Sequence, residues 1–328
     1  MIPFILLLLT LYSPQNTSEL VFITNERDGT ISIVDAARDT VIGQITVGGR
    51  PRGIRVSPDQ RTLFVAVSRP SALPVAKSAE YDFVVAVDVR THKIIRRYSV
   101  GSDPEQLDIS PDGRTLYVAN EDAGTASIVD VKSGKITTAL TVGPEAEGVR
   151  STKDGRWVYV TSEAGNSISV INAKKQQLEK VLYVGARPRA IAFCELHRKA
   201  FVTNERTGDV SVVDLRSHDV SAVIALPKGS LPMDAAVSPD GKQVFVSVGR
   251  GNAVSVLSCT ENTHLTSIPT GARTWGISLT QNGRKLYAAN SLGNTVSVID
   301  TRTHTVIRTI SVGDGPWGVV TVHTRPLR

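Results

Sequence analysis

A valine–glycine pair recurs along this chain at nearly constant spacing, and that spacing constrains the fold more than any other feature. Gly48, Gly101, Gly143, Gly185 and Gly313 each follow a valine, and Gly271 follows Thr270. Gly101, Gly143 and Gly185 succeed one another at 42 residues, as do Gly271 and Gly313. The step from Gly48 to Gly101 is 53 residues, one unit plus eleven, and the step from Gly185 to Gly271 is 86, two units plus two. A fixed period of this size marks a repeat architecture in which each unit buries its apolar face only against its neighbours.

Each unit has the same internal grammar. In residues 103–143 a first strand, DPEQLDIS, runs into a Ser-Pro-Asp-Gly turn (Ser110 to Gly113). TLYVAN follows, then a polar loop, the alternating ASIVD, a second turn and ITTALTVG. Four short alternating segments separated by turn residues every 8–12 positions predict four antiparallel strands, one propeller blade. Seven copies of the second-to-fourth strand block begin near Leu20, Leu63, Leu116, Val158, Ala200, Val244 and Leu286. Seven first strands begin near Arg50, Asp103, Glu145, Arg187, Leu231, Arg273 and Gly315. The two sets are out of phase, so the opening strands and the closing PWGVVTVH (316–323) must share a blade. The expected fold is therefore all-β: a seven-bladed propeller of four-stranded antiparallel blades, closed by N-terminal strands pairing with the C-terminal strand. It would span residues 19–323, with a tail at 324–328.

The run PFILLLLTLY (Pro3 to Tyr12) is too short to span a bilayer as a helix and matches the apolar region of a signal peptide, so residues 1–18 are assigned to a leader. No integral membrane segment is expected in the mature chain. A net charge of +6 and only 5% aromatic residues do not make a nucleic-acid footprint. Cys194 and Cys259 make no disulfide framework and match neither a haem-attachment nor a zinc spacing. They are expected on different strands of adjacent blades, as separate structural thiols.

The units GRPRGIRVSPDQRTLFVAV, YVANEDAGTASIVD, YAANSLGNTVSVIDTRTHTVIRTISVG and GPWGVV resemble the YVTN-type β-propeller repeat, over residues 19–323. Among its members the chain is most similar to the periplasmic seven-repeat proteins associated with PQQ-dependent alcohol catabolism. That resemblance implies a non-catalytic periplasmic or secreted protein, an accessory to a quinoprotein system; a monomer without a cofactor is expected. FCELHRK (193–199) and VLSCTENT (256–263) depart from the repeat pattern at their turns.

Strand order places the starts of the first strands and the second-to-third loops on one rim, the top. The residue after the repeat's proline reads Arg52, Glu105, Glu147, Arg189, Met233, Trp275 and Trp317 around the ring. The residue before it reads Arg50, Asp103, Glu145, Arg187, Leu231, Arg273 and Gly315. Second-to-third loops add Glu26, Arg69, Glu121, Glu163 and Glu205, among others. The expected site is therefore a top-face channel mouth built from Arg50, Arg52, Asp103, Glu105, Glu145, Glu147, Arg187, Arg189, Arg273, Trp275 and Trp317. Arginines beside amphipathic aromatics suit a small anionic or quinone-like ligand, or a protein partner's side chains. The plain alternative is a salt-bridged rim with tryptophans plugging the channel.

An eleven-residue insertion within 69–82 falls on the same rim and is expected to be an extended flap. His92, His218, His264 and His304 occupy equivalent third-to-fourth turns on the bottom rim and are expected as exposed turn residues. No metal site and no catalytic residue is assigned. Two rival functions stay open: a lactonase-like hydrolase using the top-face carboxylates, and a surface-layer adhesion module.

Overall fold

The computed structural model describes residues 18–74 and 78–324. The leader assigned to residues 1–18 lies, but for Ser18, outside the described residues. Seven four-stranded antiparallel sheets form a closed ring. Blades I to VI begin with the inner strands Arg50–Val56, Pro104–Ile109, Ala146–Ser151, Pro188–Cys194, Pro232–Val237 and Thr274–Leu279. Blade VII takes its inner strand from the C-terminal end, Pro316–Thr324, and its other three from Ser18–Asn25, Thr30–Asp35 and Thr40–Thr46. Leu20 pairs with Val322 and Phe22 with Val320, so the ring closes as the phase of the repeat requires.

Burial follows strand position. Second and third strands carry apolar side chains buried on both faces, such as TLFVAVS (62–68) and SISVIN (167–172). The outermost strands alternate, with Ile45, Tyr98 and Leu182 facing inward between exposed neighbours. The core is not one body. It divides into seven apolar clusters, one at each seam between adjacent blades.

The recurring glycine has a steric cause. At the end of four second strands stands an asparagine whose amide group donates to a hydroxyl or carboxylate five residues on and a serine seven residues on. Asn120 Nδ2 reaches Thr125 Oγ1 at 3.1 Å and Ser127 Oγ at 2.9 Å, and Asn25, Asn204 and Asn290 repeat the pattern. The glycine sits against that amide. A Cβ on Gly101, Gly185, Gly271 or Gly313 would lie 2.5–2.7 Å from the asparagine side chain, closer than real contacts allow. Gly101 and Gly271 also give their N–H to Asn120 and Asn290 Oδ1. Buried amides must be satisfied, and the glycine makes room for the group that satisfies the loop.

The Ser-Pro-Asp turns close by the same economy. Ser57 donates to Asp59, Ser110 to Asp112 and Ser238 to Asp240, each at 2.6 Å, while the aspartate accepts the N–H two residues on. Blade IV lacks the motif and makes a 3-10 turn over Glu195–His197 instead.

Two sequence expectations fail at the bottom face. Cys194 and Cys259 are joined by a disulfide, with Cα atoms 6.8 Å apart, both buried at the seam of blades IV and V. Cys194 ends an inner strand and Cys259 follows a third strand. The seam brings these bottom ends within bridging reach, which spacing along the chain does not reveal. His218 is also not exposed: it is buried, T-stacked on Trp157 and 2.5 Å from Tyr159 Oη through Nδ1. His92 and His304 likewise pack edge-on against Phe22 and Phe245 of a neighbouring blade. These histidines seal seams.

Candidate functional site

Near its top each inner strand presents one residue to the channel mouth, Arg52, Glu105, Glu147, Arg189, Met233, Trp275 or Trp317, and the second-to-third loop of the same blade pins the start of the strand. Glu121 and Glu163 donate their N–H groups to Asp103 and Glu145 carbonyls, and Glu205 donates to Arg187. Asp103, Glu145, Arg187 and Arg273, each immediately before its inner strand, take left-handed φ values between 50° and 60°. This turn brings the chain from one blade's outer edge to the next blade's centre.

The mouth holds two ion-pair knots on adjoining arcs, one on blades VII, I and II and the other on blades III and IV. In the first, Arg52 contacts Glu105 directly and donates to Glu26 Oε1 at 3.0 Å. Arg50 pairs with Asp103 at 2.8 Å and donates to the Arg69 carbonyl. Asp103, Glu105 and Glu121 bring carboxylate oxygens within 4.8 Å of one another. Arg50 and Arg52 face this cluster. Burial opposes ionisation of Asp103, but these arginines hold its carboxyl below the usual range.

In the second knot, Arg189 Nη1 lies 3.1 Å from Glu147 Oε1 and against Glu163, and Nε donates to Glu205 at 2.7 Å. Arg187 Nε reaches Glu163 Oε2 at 2.5 Å. Burial alone would lower the Arg189 pKa, but Glu147, Glu163 and Glu205 raise it above the usual arginine value. Burial shifts three carboxylates of the mouth upward, Glu121, Glu163 and Glu147. For Glu147, burial pushes the pKa up to about 8, aided by Glu163 and Glu121 and opposed by Arg189 and Arg52. It is a carboxylic acid at neutral pH with an ionisation inside the working range, the property a general acid–base group needs.

Apolar walls complete the arc. Trp275 and Trp317 lie with ring centroids 5.8 Å apart. The guanidinium of Arg273 sits 4.6 Å from the Trp275 ring centre and that of Arg189 at 5.5 Å, both within cation–π range. Between Glu147, Arg189, Met233, Trp275 and Trp317 lies a cavity of about 10 Å³, the space of one water molecule.

Of the eleven expected residues, ten gather at these knots and walls. Glu145 does not: its side chain is exposed and makes no ion pair among the described residues. Glu163, Glu205 and Glu26 belong to the knots as fully as the inner-strand residues do. Aligning the repeats places their loops on the same rim, but it gives no measure of how far a loop side chain reaches inward. The insertion is anchored at its base. Asp82 accepts the N–H groups of Arg69 at 2.6 Å and Asp103 at 2.9 Å, and residues Ser78–Tyr81 form a helical turn rather than an extended flap.

Two family models match parts of the chain: "Choice-of-anchor I domain" over residues 75–235 and "Lactonase, 7-bladed beta-propeller" over residues 177–307. A curated relative, Antigen Lp49 of Leptospira interrogans, is 26% identical over 108 residues, 32% of this chain. The chain matches about a quarter, 24%, of that relative's length. Solved structures share the whole ring. The periplasmic gluconolactonase PpgL of Pseudomonas aeruginosa aligns with a TM-score of 0.77 at 19% identity, covering 94% of this chain and 100% of that one. A "putative 6-phosphogluconolactonase" from Bacteroides uniformis aligns at 0.78 and 18% identity over 94% and 100%. A protein of unknown function from Desulfotomaculum acetoxidans aligns at 0.79 and 14% identity over 93% and 99%. The shared fold is thus a seven-bladed propeller.

These matches correct the functional expectation drawn from the sequence. The reading as a non-catalytic accessory of alcohol oxidation, and with it the expectation that the protein is not an enzyme, gives way to the hydrolase alternative. The correction rests on the lactonase-model match and the lactonase names among the structural neighbours. Among the described residues no helix is long and apolar enough to cross a membrane.

Proposed function

We propose that the protein hydrolyses lactones at the top-face mouth, with Glu147 as the acid–base group. The observation that carries this reading is a buried carboxyl poised at about pH 8, gripped by Arg189 beside two tryptophan walls. The lactonase match over residues 177–307 supports it and covers Arg187, Arg189, Glu205 and the Trp275 arc.

In this mechanism the lactone ring rests on Trp275 at the rim, and the water-sized cavity beneath holds the nucleophile. In its ionised form, a minority at neutral pH, Glu147 takes a proton as the water oxygen adds to the ester carbonyl carbon. The tetrahedral oxyanion forms within the field of the Arg189 guanidinium. The ring C–O bond then breaks, and the Glu147 carboxylic acid returns its proton to the departing alkoxide. The product is an open hydroxy-carboxylate. Sugar lactones such as glucono-1,5-lactone fit the charged rim and follow the relatives' names. A periplasmic site of action accords with one relative's name and with the Cys194–Cys259 bridge, since disulfides persist in oxidising compartments. The YVTN-type likeness then describes the blades and not the chemistry.

The test is a pH-stat assay of glucono-1,5-lactone opening at pH 6.5, with the spontaneous rate subtracted. Wild type is expected to exceed the blank, and Glu147→Gln to lose about 10²–10⁴-fold, the range for a general acid–base group. A wild-type rate at the blank, across several lactone ring sizes, overturns the reading.

A further inference from the structure

The channel has a second, larger opening at its other end. Three residues further along each inner strand, about 10 Å at the usual rise per residue, a second ring of side chains reads Arg55, Asp108, Arg150, Ala192, Ala236, Ser278 and Val320 around the axis. It borders a cavity of about 500 Å³ open to the bottom face, within the size range of small-molecule pockets. Blades I to III supply the charged wall. Blades IV to VII supply an almost wholly apolar one, including Phe193, Ile277 and Val320.

The charged wall is short of acceptors. Arg55 Nη1 donates to the carbonyl of Ile54 at 2.7 Å, but its Nε is buried and makes no hydrogen bond. The nearest carboxylate oxygen, Asp108 Oδ1, is 3.8 Å away. The other oxygen of Asp108 is occupied by the N–H and hydroxyl of Ser151, at 2.6 and 2.7 Å. Arg150 Nε has only the Ile191 carbonyl, at 3.3 Å. Asp234, one layer toward the centre, spends its oxygens on the N–H groups of Ala235 and Ile277. At the rim, Glu195 accepts the backbone N–H of Lys153 at 2.9 Å. Two guanidiniums therefore share one partly committed carboxylate. Burial, and then the charge of Arg150, push the Arg55 pKa down to about 10 despite Asp108 and Asp234. A buried cation without matching hydrogen-bond acceptors is costly unless a ligand supplies them.

We propose that this bottom cavity is a ligand site separate from the Glu147 mouth, taking a small carboxylate with an apolar body. The carboxylate sits between Arg55 and Arg150, where a planar two-oxygen acceptor meets guanidinium donors best. The apolar body lies against Phe193, Ile277 and Val320.

Isothermal titration of the full chain with sodium benzoate at constant ionic strength tests this, with benzamide as the neutral isostere. Wild type is expected to bind benzoate saturably and benzamide at least tenfold more weakly. Arg55→Met and Arg150→Met should each weaken benzoate at least tenfold, while Trp275→Ala at the opposite mouth leaves it unchanged. Absence of saturable benzoate binding overturns the proposal. So does equal affinity for benzamide, or a loss in Trp275→Ala with Arg55→Met intact, which places the ligand at the top. Should Arg55→Met fail to fold by circular dichroism, Ala236→Phe decides. It fills the apolar half and keeps both cations, and retained affinity there refutes the site.

Discussion

The raised pKa of Glu147 has a consequence for stability that is independent of any substrate. In the unfolded chain this carboxyl ionises near 4.5, and in the folded ring near 8. Between those values the folded state holds a proton that the unfolded state has lost, so stability falls as pH rises across the window and is flat beyond it. The span is about 3.5 pH units, and at 1.36 kcal/mol per unit the ionised group costs about 5 kcal/mol by pH 8. Unfolding entropy of about 2.1 cal/mol/K per residue makes 1 kcal/mol worth about 1.5 °C in a chain of this length. Other carboxylates contribute opposite slopes below pH 5, so the informative quantity is a difference. Glu147→Gln mimics the neutral acid and cannot ionise. Its melting temperature minus that of wild type should therefore climb by about 2 °C per pH unit from pH 5 to 8, about 6 °C in all, and level off above. Differential scanning calorimetry at half-unit steps reads this directly. Parallel profiles for the two proteins would mean that Glu147 is ionised throughout, and the acid–base role assigned to it would fall with the stability argument.

The disulfide closes a loop of 65 residues between blades IV and V, for which chain-entropy arguments give about 4 kcal/mol. Replacing both cysteines by serine should lower the melting temperature by several degrees, and alkylation of the denatured, unreduced wild type should find no free thiol. Gly271→Ala forces a Cβ to 2.6 Å from Asn290 and should cost about 1–3 kcal/mol in urea unfolding. Gly43→Ala, whose Cβ would meet only Ile33 at 3.5 Å, should be close to neutral, and equal losses would refute the steric account. Truncation after Asp314 removes the partner of Ser18–Asn25 and leaves an apolar edge. Size-exclusion chromatography should then show association in place of monomer.

The ring was legible because repetition states one solution seven times. Val-Gly, the Asn-containing second strand and Ser-Pro-Asp turns each have a local physical cause that the structure displays, at Gly101 against Asn120 and at Ser110 on Asp112. Aligning the repeats also placed Arg52, Glu105, Glu147, Arg189, Trp275 and Trp317 on one rim, since a column in the repeat is a ring in space. The same alignment read three columns further gives Arg55, Asp108 and Arg150, and the bottom opening was there to be found. What repetition hides is contact across seams. Cys194 and Cys259 stand in the two units that depart from the pattern, FCELHRK and VLSCTENT. Two irregular turns in adjacent blades, each with a cysteine, were the signal for a bridge. The chemistry was less legible still. Acidic residues of a rim look alike in sequence, and only burial separates Glu147 from exposed Glu145.

Closure within blade VII also fixes which face of the disc its two described ends leave from. Ser18 pairs with Thr324, so both ends of the propeller leave side by side from the bottom face, next to the Arg55 opening. Anything joined to either end would emerge from that face, on the side away from the Glu147 mouth. Lactones arriving from the surroundings would meet that mouth unobstructed, while access to the lower opening would depend on the length of any segment joined there.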